Sequence, residues 1–373
     1  MLKICIVNPF EHGGGAEYQI GLLIDALIAS NRYEVHYLTH FIDSRDRARG
    51  YTVSRVGDGG PVPRLGYLME GFSLYRRLRE IEPAVIYQRV ACGYSGVCAY
   101  YATRRSVPLI WHVAHDTDVT PRSLVSERNI VRQRIEKRAV EYAARNATAI
   151  VAQTRHQAEL LERYYGRTAA AVIPNFHPPA AEIIDKSGPL TVVWIANLKP
   201  WKQPEAFVRL AAKFSARGDV RFIMVGAPAA KMAAAAWREP LMQGIAAAKN
   251  LEYRGQLDHE EVNELLGRSH IFVNTSTHEG FPNTFIQAWL RNVVVVSLSV
   301  DPDDVLAREK VGVAAQTEAG LETAVRTLID DPNTLQGYAK RGLEHALAHH
   351  SLANAHRLEE LIRSHAARPA GGR

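Results

Sequence analysis

Cysteine is scarce in this chain: Cys5, Cys92 and Cys98 are the only three among 373 residues. An odd, low count with apolar or small neighbours excludes a disulfide framework and suits a reducing compartment. None of the three stands at zinc-ligand spacing from a second cysteine and a histidine pair. Long apolar runs are missing too. No uninterrupted stretch approaches the roughly 18 residues needed to span a bilayer. The apolar start, Met1 to Val7, is about one strand long and stops at Asn8-Pro9. It lacks the length and the small-residue cleavage site of a secretory signal. No zinc finger or RNP-type aromatic motif appears, which argues against nucleic acid as a partner.

What is present is the composition of a globular protein, 47% hydrophobic and 23% charged. The length suits two domains better than one core. Of the net charge of +6, roughly five units fall before residue 188.

Short apolar runs alternate with amphipathic segments through the first half. Strands are expected at Lys3–Asn8, Glu34–Thr39, Ala84–Arg89, Leu109–Ala114, Ala149–Ala152 and Ala170–Ile173, with helices such as Glu17–Ser30 and Ser73–Glu80 between them. This alternation predicts an α/β fold with a parallel sheet. Pro174-Asn175-Phe176-His177-Pro178-Pro179 then breaks the pattern, because prolines continue neither a helix nor a central strand. The pattern restarts with strands expected at Leu190–Ile195, Arg221–Val225, Leu251–Gly255, His270–Asn274 and Val293–Leu298. The expected organisation is a first domain over 1–175, a linker over 176–189 and a second α/β domain over 190–350. A last amphipathic helix is expected at 351–366.

Four segments have residue types suited to chemistry. Glu11-His12-Gly13-Gly14-Gly15-Ala16-Glu17 lies between a strand and a helix, where glycines let the backbone approach a ligand and free amides face an anion. It is equally a tight strand-to-helix turn. It is not the dinucleotide fingerprint, whose third glycine is missing. An esterase oxyanion loop is excluded as well, since Gly93-Tyr94-Ser95-Gly96 has the wrong spacing for a nucleophile elbow. Trp111-His112-Val113-Ala114-His115-Asp116-Thr117-Asp118 closes a strand at the end that faces ligand in such folds. Asp116 and Asp118, like Asp301, Asp303 and Asp304, read as solvated caps rather than metal ligands. In Ala196-Asn197-Leu198-Lys199-Pro200-Trp201-Lys202, two lysines follow a buried strand and suit phosphate charge, or are plain surface lysines. In Asn274 to Trp289, a strand ends, a loop presents Glu279-Gly280-Phe281-Pro282, and a helix begins near Asn283. A carboxylate there accepts hydrogen bonds from neutral sugar hydroxyls, and Gln287 along the helix can pair with a ribose.

The Glu279-Gly280-Phe281-Pro282-Asn283-Thr284-Phe285 stretch resembles the Glu-x7-Glu region of glycosyltransferase family 4. Further resemblances run in order along nearly the whole chain: Gly14-Gly15-Ala16-Glu17 to the first glycine loop, His115 to the active-site histidine, and Ile173-Pro174-Asn175 to the hinge. Ala196 to Lys202 resembles the donor-phosphate loop, and Phe222 to Gly226 the strand and glycine that border the base pocket. Three positions depart from the pattern: Gln287 replaces the second Glu, Asn197 an Arg, and Phe176 a Gly.

The resemblance implies the GT-B architecture, two Rossmann-like domains facing across a cleft, with the helix 351–366 packing back on the first domain. It implies a retaining transferase that moves a hexose-type sugar from a UDP- or GDP-sugar to a glycan or lipid-linked acceptor, usually without a metal or other cofactor. His115, Lys202 and Glu279 would be the catalytic set. Gly14, Gly15, Asn197, Lys199, Gly226, Gly280, Phe281, Pro282, Asn283, Thr284 and Gln287 would complete the donor site. A non-catalytic nucleotide-sugar binder and a nucleotide-sugar epimerase are the alternatives. A cytoplasmic location is expected. The basic segment through Arg122, Arg128, Arg132, Arg134, Lys137, Arg138 and Arg145 reads as a solvated helix or, more sharply, as a patch for anionic membrane at the inner face.

Overall fold

The structure is a computed structural model. It describes residues 1–9, 14–40, 42, 50–57, 66–121, 131–180, 186, 188–227 and 235–367, without the side chains of 66–69, 131–133 and 235–236. Arg122, Arg128 and the Arg132 side chain of the basic segment lie outside the described residues, as do Glu11, His12 and Gly13.

The chain divides into two compact units, one formed by Met1–Phe176 with Leu352–Arg373, the other by His177–Ser351. In chain order the first unit holds β1 (Leu2–Val7), α1 (Gly15–Ala29), β2 (Tyr33–Thr39), β3 (Thr52–Arg55), α2 (Gly66–Ile81), β4 (Val85–Gln88), α3 (Gly93–Arg105) and β5 (Leu109–His112). It continues with α4 (Asp116–Val119), α5 (Val131–Asn146), β6 (Ala149–Ala152), α6 (Arg155–Tyr165) and β7 (Ala171–Val172). Its seven described strands are ordered β3-β2-β1-β4-β5-β6-β7, every pair parallel.

The second unit holds β8 (Leu190–Ile195), α7 (Pro204–Lys213), β9 (Val220–Val225), α8 (Ala235–Ala247), β10 (Leu251–Tyr253), α9 (His259–Gly267) and β11 (Ile271–Asn274). Then follow α10 (Asn283–Trp289), β12 (Val294–Ser297), α11 (Val305–Arg308), β13 (Gly312–Ala314), α12 (Glu318–Asp330) and α13 (Pro332–His349). Its six described strands run β10-β9-β8-β11-β12-β13, again all parallel. The chain then contributes α14 (Ala353–Ala366) to the first unit.

Strand chemistry explains the layering. A parallel strand covered on both faces is apolar at every position, and alternate side chains serve opposite faces. In β1, Ile4 and Ile6 join the cluster with Ile20, Leu23 and Leu27 of α1 and Leu358 and Ile362 of α14. Cys5 and Val7 join the cluster on the other face, with Leu74, Cys98, Val140 and Ala143. There α3 and α5 approach so closely that a β-carbon on Gly96 would lie 2.7 Å from the Ala139 β-carbon. In β8, Val192 and Trp194 face Phe207, Leu210 and Val325, while Val193 faces Phe285, Ile286 and Trp289. Tyr33 donates to Glu359 Oε1 at 2.8 Å, which fixes the register of α14.

The cysteines are all free. Burial raises the Cys5 and Cys98 thiols and pushes Cys92 up to about 12, so they act as small apolar fillers. Among the described residues no helix is long and apolar enough to cross a membrane.

Two histidines of the second unit give an acid sensitivity. Burial lowers His177 to about 3, with the Arg291 and His259 charges adding to the shift and the Asn283 hydrogen bond opposing it. Burial, then the charge of His349, lowers His345 to about 4. An unfolded histidine titrates near 6.5, so below that pH the unfolded chain binds the protons. This stability is fully present above pH ~6.5 and is lost as pH falls towards the folded values. His177 alone should cost roughly 2 kcal/mol between pH 7 and 5, with a smaller loss from the more exposed His345. Calorimetry across that range should show the unfolding midpoint of the second unit falling by several degrees; a flat profile would contradict the neutral burial of His177.

Candidate functional site

In each sheet the strand order reverses once, between β1 and β4 in the first and between β8 and β11 in the second. Loops leaving the carboxyl ends of such neighbours turn to opposite faces and open a crevice for ligand.

In the second unit, β8 runs into Ala196-Asn197-Leu198-Lys199, a 3-10 turn at Pro200–Lys202, and α7. Buried Leu198 anchors this loop, and its N–H donates to the Ala227 carbonyl at 3.0 Å. The exit of β11 holds the other end. Trp194 Nε1 donates to Thr275 Oγ1 at 2.8 Å, and that hydroxyl donates to the Lys202 carbonyl at 2.6 Å. The Thr277 N–H donates to the Trp201 carbonyl at 2.8 Å. These bonds bring the lysine loop and the glutamate loop together. Lys202 Nζ donates to Glu279 Oε1, which also accepts from Ser276 Oγ at 2.8 Å. The two side chains are 19% and 16% exposed, so the pair is shielded from bulk water yet reachable.

Gly226 directly follows β9 beside this loop with φ 150°, and a β-carbon there would lie 1.8 Å from the Ala196 carbonyl oxygen. Beyond Glu279, Gly280 and Pro282 are buried, while Phe281, Asn283 and Thr284 are half-buried. The Phe281 ring packs on Trp289 and His350, and Asn283 Oδ1 lies 3.4 Å from His177 Nε2. Two of the residues read from sequence point elsewhere. Gln287 is 5% exposed and its Nε2 donates to Asn263 Oδ1 of α9 at 3.2 Å. Lys199 Nζ sits 4.9 Å from the centroid of the Trp201 ring, a cation–π contact on an exposed indole. Asn197 is exposed.

In the first unit, Gly14 is the N-cap of α1 and Gly15 its first residue. Asn8, at the end of β1, donates to the Glu17 carboxylate at 3.0 Å. A β-carbon on Gly14 would lie 2.4 Å from the other Glu17 oxygen, so a carboxylate already stands over this turn. His115 caps α4: its Nδ1 accepts from the Thr117 N–H at 3.2 Å and pairs with the Thr117 hydroxyl at 2.9 Å. An Nδ1 that accepts from a backbone amide leaves the proton on Nε2, which makes His115 a hydrogen-bond donor there. Asp118 Oδ2 accepts from the Ala114 and His115 amides, and Asp116 Oδ1 accepts from Gln157. Asp301 likewise accepts from the Leu306 and Ala307 amides. These three acids are thus used as local caps or tethers. Among the described residues no group of three His, Cys, Asp or Glu is placed to hold a metal ion.

Sequence reasoning passed over Arg89, which follows β4 by one residue at the reversal of the first sheet. It is 1% exposed and donates to His112 Nδ1 at 3.0 Å and to Asn175 Oδ1. Tyr87 lies 2.9 Å from the same His112 nitrogen. Burial, then the Arg89 charge, lowers His112 well below the usual histidine range, so Arg89 is the charged member of this group. Only its position one residue past a strand could have flagged it.

Two family models match: Glycosyltransferase Family 4 over residues 13–180 and Glycosyl transferases group 1 over residues 189–331. A search of curated proteins finds no match. Solved structures of similar fold include a sucrose-phosphate synthase from Thermosynechococcus elongatus, 16% identical, with a TM-score of 0.79 over 98% of this chain and 99% of that one. Anabaena HepE in complex with UDP and glucose is 17% identical, with a TM-score of 0.79 over 98% of this chain and 100% of that one. WaaG, a glycosyltransferase involved in lipopolysaccharide biosynthesis, is 12% identical, with a TM-score of 0.75 over 97% and 99%. With both units matched by models of one kind and two parallel Rossmann-type sheets, the chain belongs to the group 1, family 4 glycosyltransferases and is an enzyme of that class with the GT-B fold.

Proposed function

We propose that this glycosyltransferase takes a hexose from a UDP- or GDP-sugar and passes it, with retention at the anomeric carbon, to a hydroxyl of a glycan or lipid-linked acceptor. The observation that carries the reading is the Lys202–Glu279 pair at the strand reversal of the second sheet. The complex of HepE with UDP and glucose supports a nucleotide-sugar of this kind.

The chemical problem is a glycosidic bond whose leaving group is a nucleoside diphosphate. Negative charge grows on the departing phosphate, and Lys202 meets it as a compact cation already fixed in place. Glu279 accepts from hydroxyls of the sugar, and the half-buried setting strengthens both interactions. His115, with its proton on Nε2, is a hydrogen-bond donor there rather than a base. For retention the acceptor oxygen approaches on the face the phosphate leaves, and a phosphate oxygen takes its proton. Holding donor against acceptor supplies much of the remaining acceleration.

A thermal-shift series with UDP, GDP, UDP-glucose and GDP-mannose tests the donor assignment. A ligand at a hundred times its Kd should stabilise the folded chain by about 2.7 kcal/mol, a shift of several degrees. No shift with any of the four would overturn the proposal.

A further inference from the structure

The chain joins the second unit at His177 and leaves it just after His350, and the two residues are tied together. The His177 N–H donates to the His350 carbonyl at 2.8 Å. Both side chains are buried, at 4% and 2% exposure. They reach the two ends of one short stretch. His177 Nε2 stands 3.4 Å from Asn283 Oδ1, at the first residue of α10. The His350 ring centroid stands 4.6 Å from that of Phe281. Trp289 backs the same contact, 6.0 Å from His350 and 6.2 Å from Phe281. Buried Pro282 lies between the two anchored residues, and Glu279 precedes them by one glycine. The stretch that follows the catalytic carboxylate is therefore backed by two imidazoles from outside it, more than 65 residues away on either side.

We propose that His177 is a positioning residue for the sugar end of the donor, acting through Asn283 on the Glu279–Asn283 loop; this rests on reading that loop as the sugar-binding segment. Burial keeps the His177 ring neutral, so it has one N–H. With that proton on Nε2 it donates to Asn283 Oδ1, which turns the Asn283 NH2 to the opposite side. The orientation of an amide beside the sugar is thus set by the residue at which the chain joins the unit. His350 fixes the neighbouring Phe281 ring by packing, so a shift of the 177–350 tie moves both ends of the stretch together.

Binding of UDP, UDP-glucose, GDP and GDP-mannose to the full chain by calorimetry separates this role from a purely structural one. In His177→Ala, the better wild-type nucleotide-sugar should bind at least about tenfold more weakly, a loss near 1.4 kcal/mol, while its parent nucleotide diphosphate binds as before. His177→Gln, whose amide nitrogen can take the place of Nε2, should restore sugar binding. Asn283→Ala, which leaves the 177–350 tie untouched, should show the same selective loss and serves if His177→Ala does not fold. Equal losses for nucleotide and nucleotide-sugar in these variants, or no loss in either, would overturn the inference alone. Absence of binding by the wild type to all four probes would overturn the functional reading and this inference with it.

Discussion

Lys202→Ala is expected to lower kcat/KM for the donor by more than Glu279→Ala, with each change costing at least about tenfold, ~1.4 kcal/mol of transition-state stabilisation. The order follows from what each leaves behind. Lys202 Nζ and Ser276 Oγ both donate to Glu279 Oε1. Without Lys202 the carboxylate keeps one neutral partner and its full negative charge, in a half-buried site that is to receive a second anion. The loss of a cation is then compounded by repulsion. Without Glu279 the lysine is still present for the phosphate, and the loss is confined to hydrogen bonds with the sugar. The double variant should fall short of the product of the two single effects, because part of the Lys202 penalty requires the glutamate. Donor consumption by purified variants measures all three; wild-type rates in both single variants would remove these residues from the mechanism.

Gly226→Ala is expected to destabilise the second unit by at least about 2 kcal/mol and to weaken donor binding at the same time. At φ 150° an L-residue is strained before any contact is considered. The added carbon would also meet the Ala196 carbonyl oxygen at 1.8 Å and its carbon at 2.9 Å, which are backbone atoms that no rotamer change can move. Relief by shifting Gly226 is opposed by its N–H bond to the Gly255 carbonyl and by the Tyr253 hydroxyl on its own carbonyl, both 2.7 Å. The chain that gives way is then the exit of β8, and Asn197 to Lys202 move with it. Gly218→Ala, where a β-carbon meets nothing within 4 Å, is the control and should be neutral. Chemical denaturation and nucleotide titration of the two variants give the comparison, and equal stability would show that the β8–β9 exit yields more easily than its hydrogen bonds imply.

The central strands were legible because residues such as Ile4 to Val7 and Val192 to Trp194 are apolar on both faces. Of the edge strands, β7 and β10 were read at Ala170–Ile173 and Leu251–Gly255, but β3 and β13 were not. β3 is Thr-Val-Ser-Arg with both ends exposed, and β13 is three residues long, so neither rises above the pattern of a loop. In the site, the glutamate loop and the lysine loop could be read as local patterns, each at a strand end. The resemblance put Lys202 and Glu279 in one site, but their direct ion pair could not be read, since they are 77 residues apart and meet only once β8 and β11 are neighbours. Nor could the side-chain direction of Gln287, which depends on α9 supplying Asn263, or the burial of Arg89, which depends on Tyr87, His112 and Asn175 assembling around it.

The placement of α14 has a consequence for biosynthesis. One face of the first sheet, with Ile4, Ile6, Tyr33 and Val35, gains Ala355, Leu358 and Ile362 only from α14. The second unit is a single uninterrupted piece of chain and can close as soon as it emerges from the ribosome. The first unit starts before the second and is completed after it: the part of its apolar face that α14 covers stays open to water, and to other nascent chains, until α14 has followed the whole of the second unit out of the ribosome.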